Sequence, residues 1–256
     1  MKKNNKKYAD THLRNVCPIL TSESSGGTGF FYKSGESVYL MTVKHNVIPG
    51  RNEYADGVHL DMGEDYSPRI EVLLRSPSNE TWLGKEIDMR DRHVFFKECF
   101  GAIAIPVSFD PEDYNYVVYD SQDIQSVDNI EDRNGDLLFI GYDSGSFSRW
   151  NSDNIDYTDP GQPRMVFSSD PRGVDDCYGR VSDVDEVRDY GGMSGAPLLA
   201  DGVVGIHISN LREDLFFTRA EAIPEILEQP RRIEERNPME SFEKNVLRNT
   251  AEGGSG

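Results

Sequence analysis

Ser194 is the residue of this sequence whose neighbours are most suggestive of chemistry. It lies in the segment YGGMSGAP at 190–197, between Gly192 and Gly195. Glycines on both sides of a serine allow the backbone to turn sharply, so that two amide N–H groups can point at one spot beside the hydroxyl. An acyl-transfer nucleophile requires this geometry, together with a base that accepts the hydroxyl proton.

His45 is the candidate base. It ends a second motif, which reads GTGFF at 27–31 and YLMTVKH at 39–45. A lone histidine at the end of an apolar strand is more often structural, but the serine motif downstream favours a Ser–His pair. The sequence contains no HExxH, CxxC or phosphate-binding motif, and a Ser–His pair needs no cofactor, so we predict neither a metal nor a cofactor.

The two motifs together resemble the trypsin-like (chymotrypsin-fold) serine proteases, in the bacterial or archaeal intracellular type. The resemblance covers residues 27–48 and 190–219, is weak between them and ends near residue 230. It implies an all-β fold of two six-stranded antiparallel β-barrels with a C-terminal helix. It also implies that Ser194 attacks a peptide carbonyl, that His45 carries its proton, and that the N–H groups of Gly192 and Ser194 form the oxyanion hole.

The family's third catalytic residue is an aspartate that orients the histidine, and the matching position here is Ala102. Three explanations are open. The residue was changed deliberately to inactivate the protein, the domain is naturally inactive, or another carboxylate such as Asp88 or Asp91 reaches the histidine. We favour the first, because residues 103–105 keep the family pattern, and we therefore expect an inactivated form.

Two residues are candidates for substrate selection. His207 lies on the strand that would form the wall of the specificity pocket, and relatives with histidine there often prefer glutamate or glutamine before the scissile bond. Arg188, six residues before Ser194, would favour an acidic group as well. The alternative is that His207 is a pocket-wall residue without a role in selection.

The remaining organisation follows from period-two patterns and turn residues. Strands are predicted along most of the chain, a loop around residues 77–82, and a helix at 222–228. Three aspartates within 153–159 lack the glycine and glutamate of a calcium loop, which favours a solvated acidic loop. We expect a flexible N-terminus at 1–13, a protease domain at 14–230 with barrels at roughly 14–115 and 130–220, a helical segment at 231–250 and a linker or tag at 251–256.

Composition limits the partners and the compartment. The 256 residues carry a formal charge of −18, which disfavours nucleic acid and anionic membranes as partners and leaves a protein or peptide substrate. The three cysteines (Cys17, Cys99 and Cys177) do not form a disulfide framework and are predicted to be buried apolar residues. Together with the lack of a secretory signal, they favour a cytoplasmic protein.

Two other functions compete with the protease. A protease fold without activity could bind a peptide in its cleft, and Ala102 is the residue that favours this alternative. A lipase or esterase of the α/β type would carry its serine before its histidine. The order in this chain, with His45 before Ser194, disfavours it.

Overall fold

In the computed structural model, the described residues are 14–21, 26–47, 69–78, 81–89, 92–97, 99–130, 137–142, 163–168, 171–181, 191–211 and 214–232. Several predictions concern residues outside these ranges. They are the flexible N-terminus, the acidic loop at 153–159, Asp91, Arg188, the linker at 251–256 and all but the first two residues of the helical segment at 231–250.

The N-terminal half forms a nine-stranded sheet. Eight strands follow the order β16-β6-β7-β3-β2-β1-β4-β5 and pair antiparallel, while β8 pairs with β2 in parallel. The bounds are β1 Cys17–Thr21, β2 Gly26–Ser34, β3 Ser37–Val43, β4 Arg69–Arg75, β5 Trp82–Asp88, β6 His93–Phe95, β7 Ala102–Pro106, β8 Val118–Tyr119 and β16 Pro230–Arg232.

The C-terminal half forms a seven-stranded antiparallel sheet in the order β10-β9-β13-β14-β15-β12-β11. Its strands are β9 Leu137–Gly141, β10 Arg164–Ser168, β11 Pro171–Gly173, β12 Tyr178–Val181, β13 Pro197–Leu199, β14 Val203–Leu211 and β15 Asp214–Arg219. A short helix, α1, spans Ile223–Leu227, inside the helix predicted at 222–228. The prediction of an all-β fold is confirmed, with two mainly antiparallel sheets and a short helix. The helical segment predicted at 231–250 lies outside the described residues except for Arg231 and Arg232, which belong to β16 instead.

Both faces of the central strands are buried, which explains their nearly continuous apolar sequences. In β7, for example, Ala102 and Ala104 face one cluster of buried residues, whereas Ile103 and Ile105 face another. Each sheet has its own core, and a third cluster contains side chains from both sheets. We call this third set the between-sheet cluster; it includes Phe30, Val43, Ala102, Ile140, Val203, Ile206, Ile208 and Ile223.

The prediction of two closed, six-stranded barrels needs correction. The described strands number nine and seven, and within the described residues neither sheet closes on itself. In the first sheet β16 and β5 are the two ends of the order, and no pairing joins them among the described residues. The predicted loop around Trp82 is also wrong, because Trp82 begins β5, which pairs with β4 along its whole length.

Candidate active site

The turn that carries Ser194 depends on two glycines. Gly192 and Gly195 have φ values of 87° and 92°, in the left-handed region that disfavours residues with a Cβ. The Gly195 N–H donates to the His207 carbonyl over 2.8 Å, and the Ala196 N–H donates to Met193 over 2.9 Å. The serine is therefore held on a tight turn that is fastened to β14.

Two amides of this turn make no backbone hydrogen bond within the described part of the chain. Among the described residues, the N–H groups of Gly192 and Ser194 donate to no carbonyl oxygen. The Ser194 side chain is partly buried, and its Oγ donates to the Ile208 carbonyl over 3.1 Å. The predicted oxyanion hole of Gly192 and Ser194 N–H groups stays a prediction, because it also requires that both groups point at one spot.

His45 lies on a 3₁₀ turn, Lys44–Asn46, that directly follows β3. The Lys44 N–H donates to the Gly101 carbonyl over 2.8 Å, and the Val47 N–H closes the turn on the Lys44 carbonyl over 3.0 Å. The His45 side chain is partly buried. The chain just before β7 therefore supports the turn that presents the histidine.

Asn46 joins the histidine turn to the serine turn. Its Nδ2 donates to the Ser194 carbonyl over 2.7 Å and to Thr42 Oγ1 over 2.9 Å. The same Ser194 carbonyl also accepts from the Thr28 N–H over 2.9 Å. Residues next to His45 and within the GTGFF motif thus contact the backbone of Ser194 itself.

Two threonines complete this network. Thr28 Oγ1 donates to the Gly192 carbonyl over 3.0 Å and accepts from the Tyr142 N–H over 2.9 Å. Thr42 Oγ1 donates to the Thr28 carbonyl over 2.8 Å. No motif predicts a role for Thr28, Thr42 or Asn46, and their only signal in the sequence is that polar residues interrupt otherwise apolar segments.

The structure brings the two predicted motifs into direct contact. The hydrogen bond between Ser194 and His45 themselves remains a prediction, since the Ser194 hydroxyl proton is directed to Ile208.

Ala102 begins β7 and pairs with Val43, which lies two residues before His45. It is fully buried and belongs to the between-sheet cluster together with Ile208. A Cβ on the preceding Gly101 would lie 2.9 Å from Ile208 Cδ1, so the isoleucine side chain packs directly on this strand end. Ala102 therefore packs among hydrophobic side chains. Asp88, one alternative carboxylate, ends the outermost strand β5 opposite Arg69.

His207 is almost completely buried within β14. Its Nδ1 lies 3.2 Å from the Met193 carbonyl, and its ring packs edge-on against Phe139 with the centroids 5.6 Å apart. A carbonyl can only accept, so this contact places a proton on Nδ1. The histidine is thus bonded to the residue that precedes Ser194.

Within the described ranges, no group of three or more His, Cys, Asp or Glu side chains could hold a metal ion. None of the helices in the same ranges is long and apolar enough to cross a membrane. The prediction that the cysteines are buried is correct for Cys17 and wrong for the other two, since Cys99 is exposed and Cys177 is partly exposed.

No protein-family profile and no curated protein matches the sequence. Solved structures of serine proteases do match the fold. The chain is similar to Deg5, with 14% identity, a TM-score of 0.53 and coverage of 88% of this chain and 92% of that chain. It is similar to the HtrA-type protease AlgW with tripeptide, with 16% identity and a TM-score of 0.52. That match covers 87% of this chain and 62% of that chain. It is also similar to a Glu endopeptidase in complex with MPD, with 12% identity and a TM-score of 0.52. That match covers 84% of this chain and 89% of that chain. At these identities the similarity establishes the fold, and the chain therefore has the fold of the chymotrypsin-like serine proteases.

Proposed function

We propose that this chain is a serine endopeptidase of the trypsin-like type in which Ser194 is the nucleophile and His45 the general base. The observation that carries the proposal is the direct contact between their turns, in which Asn46 Nδ2 donates to the Ser194 carbonyl over 2.7 Å. We extend the proposal to a bacterial or archaeal protein that acts in the cytoplasm on protein or peptide substrates without a cofactor.

The chemistry follows from the groups on the two turns. Ser194 Oγ attacks the peptide carbonyl while His45 takes the hydroxyl proton and later gives it to the leaving amine. The amides of Gly192 and Ser194 bind the oxyanion, an effect of about 3–4 kcal/mol in comparable sites. Before attack the hydroxyl must leave the Ile208 carbonyl, which costs about 1 kcal/mol for one neutral hydrogen bond.

Ala102 makes this chain a weakened or inactivated form of such an enzyme. Alanine offers no acceptor to His45 Nδ1 and no counter-charge to the imidazolium that forms during attack. In a triad with the wrong histidine tautomer, kcat falls by about 10⁴. The oxyanion hole and substrate binding then carry the residual activity.

We propose glutamate or glutamine as the residue before the scissile bond. With a proton on Nδ1 facing Met193, the Nε2 atom of a neutral His207 could accept from a glutamine amide, once the substrate reaches this atom, which is buried in the free chain. A protonated His207 donates to a glutamate carboxylate instead. Arg188 is a second candidate for this pocket, on the basis of the sequence alone.

The test compares peptides that differ only in the residue before the cut, with Glu, Gln, Arg or Leu at that position. We expect slow hydrolysis of the Glu and Gln peptides, abolished by Ser194→Ala and by His45→Ala. Cleavage after Arg or Leu with the same efficiency would contradict the assignment of His207. A fluorophosphonate ester, which reacts with activated serines, should label Ser194 but not the Ser194→Ala control.

Restoring a carboxylate tests the role of position 102. Because Ile208 makes the surroundings apolar, Ala102→Asp is combined with Ile208→Ser, which supplies a hydroxyl donor to the new carboxylate. We expect kcat of the double variant to rise by about 10³–10⁴ with little change in KM. Equal rates for the double variant, the parent chain and Ile208→Ser alone would show that the third residue lies elsewhere, with Asp88 next to be replaced.

A binding module without catalysis is the second candidate. The apolar surroundings of Ala102 favour it, as does the hydrogen bond that directs the Ser194 hydroxyl to Ile208. If no variant hydrolyses peptide while Ser194→Ala and the parent chain bind it equally, this second function replaces the first.

A further inference from the structure

The side chain of Thr28 contacts the serine turn at the peptide unit that lies between the two predicted oxyanion donors. These donors are the N–H groups of Gly192 and Ser194, and the Gly192–Met193 peptide is the complete unit between them along the chain. Because a peptide unit is planar, its orientation links the directions of the two N–H groups. Thr28 Oγ1 donates to the carbonyl of this unit, the Gly192 oxygen, over 3.0 Å.

The neighbours of the Thr28 hydroxyl determine where its proton points. The Tyr142 N–H donates to Oγ1 over 2.9 Å, so the hydroxyl proton cannot be directed there. The Gly192 carbonyl can only accept, and it therefore receives this proton. Thr28 is completely buried, so bulk solvent does not compete for the bond. Its β-branched side chain also has few rotamers, which keeps the hydroxyl in one direction.

The hydroxyl of Thr28 is the main restraint on the Gly192–Met193 peptide. The next two carbonyls of the turn, those of Met193 and Ser194, each contact two donors. By contrast, within the described part of the chain, the Thr28 hydroxyl makes the only hydrogen bond to the Gly192–Met193 unit. Gly192 itself adds little restraint, because glycine adopts positive and negative φ values about equally well.

Packing brings Thr28 against the turn independently of these hydrogen bonds. A Cβ on Gly141, the last residue of β9, would lie 3.0 Å from Thr28 Oγ1 and 2.9 Å from Ala196 Cβ. A Cβ on Gly195 would lie 2.0 Å from the Thr28 carbonyl oxygen. Glycines at both positions therefore allow Thr28 to approach the serine turn closely.

We propose that Thr28 is a positioning residue of the oxyanion hole, which holds the Gly192–Met193 peptide in the orientation that an oxyanion requires. The inference rests on the proposed function, and it gives the GTGFF motif a role besides its place beside the histidine strand. In this role Thr28 acts through the serine turn and not on the substrate. Its effect should therefore appear in the step that develops negative charge on oxygen, and not in substrate binding.

The experiment compares Thr28→Val, which keeps the shape of the side chain without its hydroxyl, with Thr28→Ser, which keeps the hydroxyl. The probe is the fluorophosphonate ester, whose phosphoryl oxygen gains negative charge as Ser194 attacks. In Thr28→Val we expect the maximal labelling rate to fall about 10- to 100-fold, with the half-saturating concentration nearly unchanged. This loss is smaller than the factor of about 10²–10³ for a missing oxyanion donor, because both N–H groups remain. Thr28→Ser should restore the labelling rate to within about threefold of the parent.

Thr218 offers the matched control. It is a fully buried threonine on β15, and its Oγ1 has no hydrogen-bond partner within the described residues. Thr218→Val removes the same kind of hydroxyl and should be labelled at the parent rate, whereas Ser194→Ala gives the background. Equal losses in Thr28→Val and Thr218→Val would overturn the inference. If Thr28→Val does not fold, Thr28→Ala takes its place with the same expected loss, because it leaves room beside the Tyr142 N–H.

A second measurement does not depend on peptidase activity. In Thr28→Val, but not in Thr28→Ser or Thr218→Val, hydrogen exchange in residues 191–197 should accelerate by about fivefold relative to β4, as one lost hydrogen bond predicts. If the parent chain is not labelled at all, the proposed function fails, while this acceleration still supports the positioning role of Thr28. Unchanged exchange overturns the inference in either case. In a chain that is labelled, a Thr28→Val variant that reacts as fast as the parent overturns it too.

Discussion

Asn46 and Gly27 offer a direct test of how the two motifs are joined. A Cβ built on Gly27 would lie 2.1 Å, 2.3 Å and 2.6 Å from Nδ2, Cγ and Oδ1 of Asn46. The backbone of Gly27 is outside the left-handed region, so alanine fits its conformation. The penalty of Gly27→Ala should therefore come mainly from Asn46, and Asn46→Ala removes the three atoms nearest to the new Cβ.

The magnitudes follow from the contacts. Asn46→Ala loses two hydrogen bonds of about 1 kcal/mol each, or about 2 kcal/mol of the free energy of unfolding. The loss is no larger because the Ser194 carbonyl keeps its bond from Thr28. Gly27→Ala must displace a side chain fixed by those bonds, which costs about 2–3 kcal/mol. The double variant should lose only about 2 kcal/mol, so the two changes are coupled by about 2–3 kcal/mol.

Urea unfolding of the parent, the two single variants and the double variant measures this coupling. Gly29→Ala is the matched control, because its Cβ would meet Ile19 Cδ1 at 2.7 Å and Leu40 Cδ1 at 2.8 Å, and no atom of Asn46. Its penalty should add to that of Asn46→Ala. Additive penalties for Gly27 and Asn46, or a Gly27→Ala variant as stable as the parent, would refute the contact between the motifs.

The other expectations concern Gly195 in the serine turn and the buried side chain of Tyr119. Gly195→Ala combines a φ of 92° with a Cβ only 2.0 Å from the Thr28 carbonyl oxygen, so we expect a loss of at least about 4 kcal/mol in urea unfolding. Stability comparable to the parent would show that the turn rearranges freely. Burial raises the pKa of Tyr119 to about 12, from 10.0. The folded state therefore favours the neutral phenol, and its contribution is complete below pH 10 and lost as the pH rises through about 12. Melting temperatures measured between pH 8 and 11.5 should fall above pH 10, and less steeply in Tyr119→Phe; identical slopes would contradict the assignment.

Local sequence patterns were sufficient for most of the strands. The segment 69–75 has apolar residues at the alternate positions 70, 72 and 74 and forms β4, and the segment 178–181 forms β12. These strands could be predicted because burial of one or both faces imposes a period of two on the sequence. Trp82 was assigned to a loop because β5 is an edge strand, with charged residues such as Lys85 and Glu86 in its middle, which obscures the alternation.

The contacts that unite the site could not be predicted in the same way. Asn46 acts on Ser194 across 148 residues, and Thr28 acts on Gly192 across 164. No periodicity reports such a contact, since it depends on how two sheets meet. The resemblance identified the two turns, whereas the polar side chains that fasten one turn to the other became visible only in the structure. The pairing of β16 with β6 is likewise a long-range contact.

The packing around Ala102 bears on what a carboxylate would meet there. A carboxylate at this fully buried position would lose its water and would keep its charge only if a cation or hydrogen-bond donors met it. The side chain of Ile208, which packs on the neighbouring Gly101, provides neither. Ala102 and Ile208 both belong to the between-sheet cluster of buried hydrophobic residues. For the same reason, Ala102→Asp alone should recover less activity than Ala102→Asp combined with Ile208→Ser.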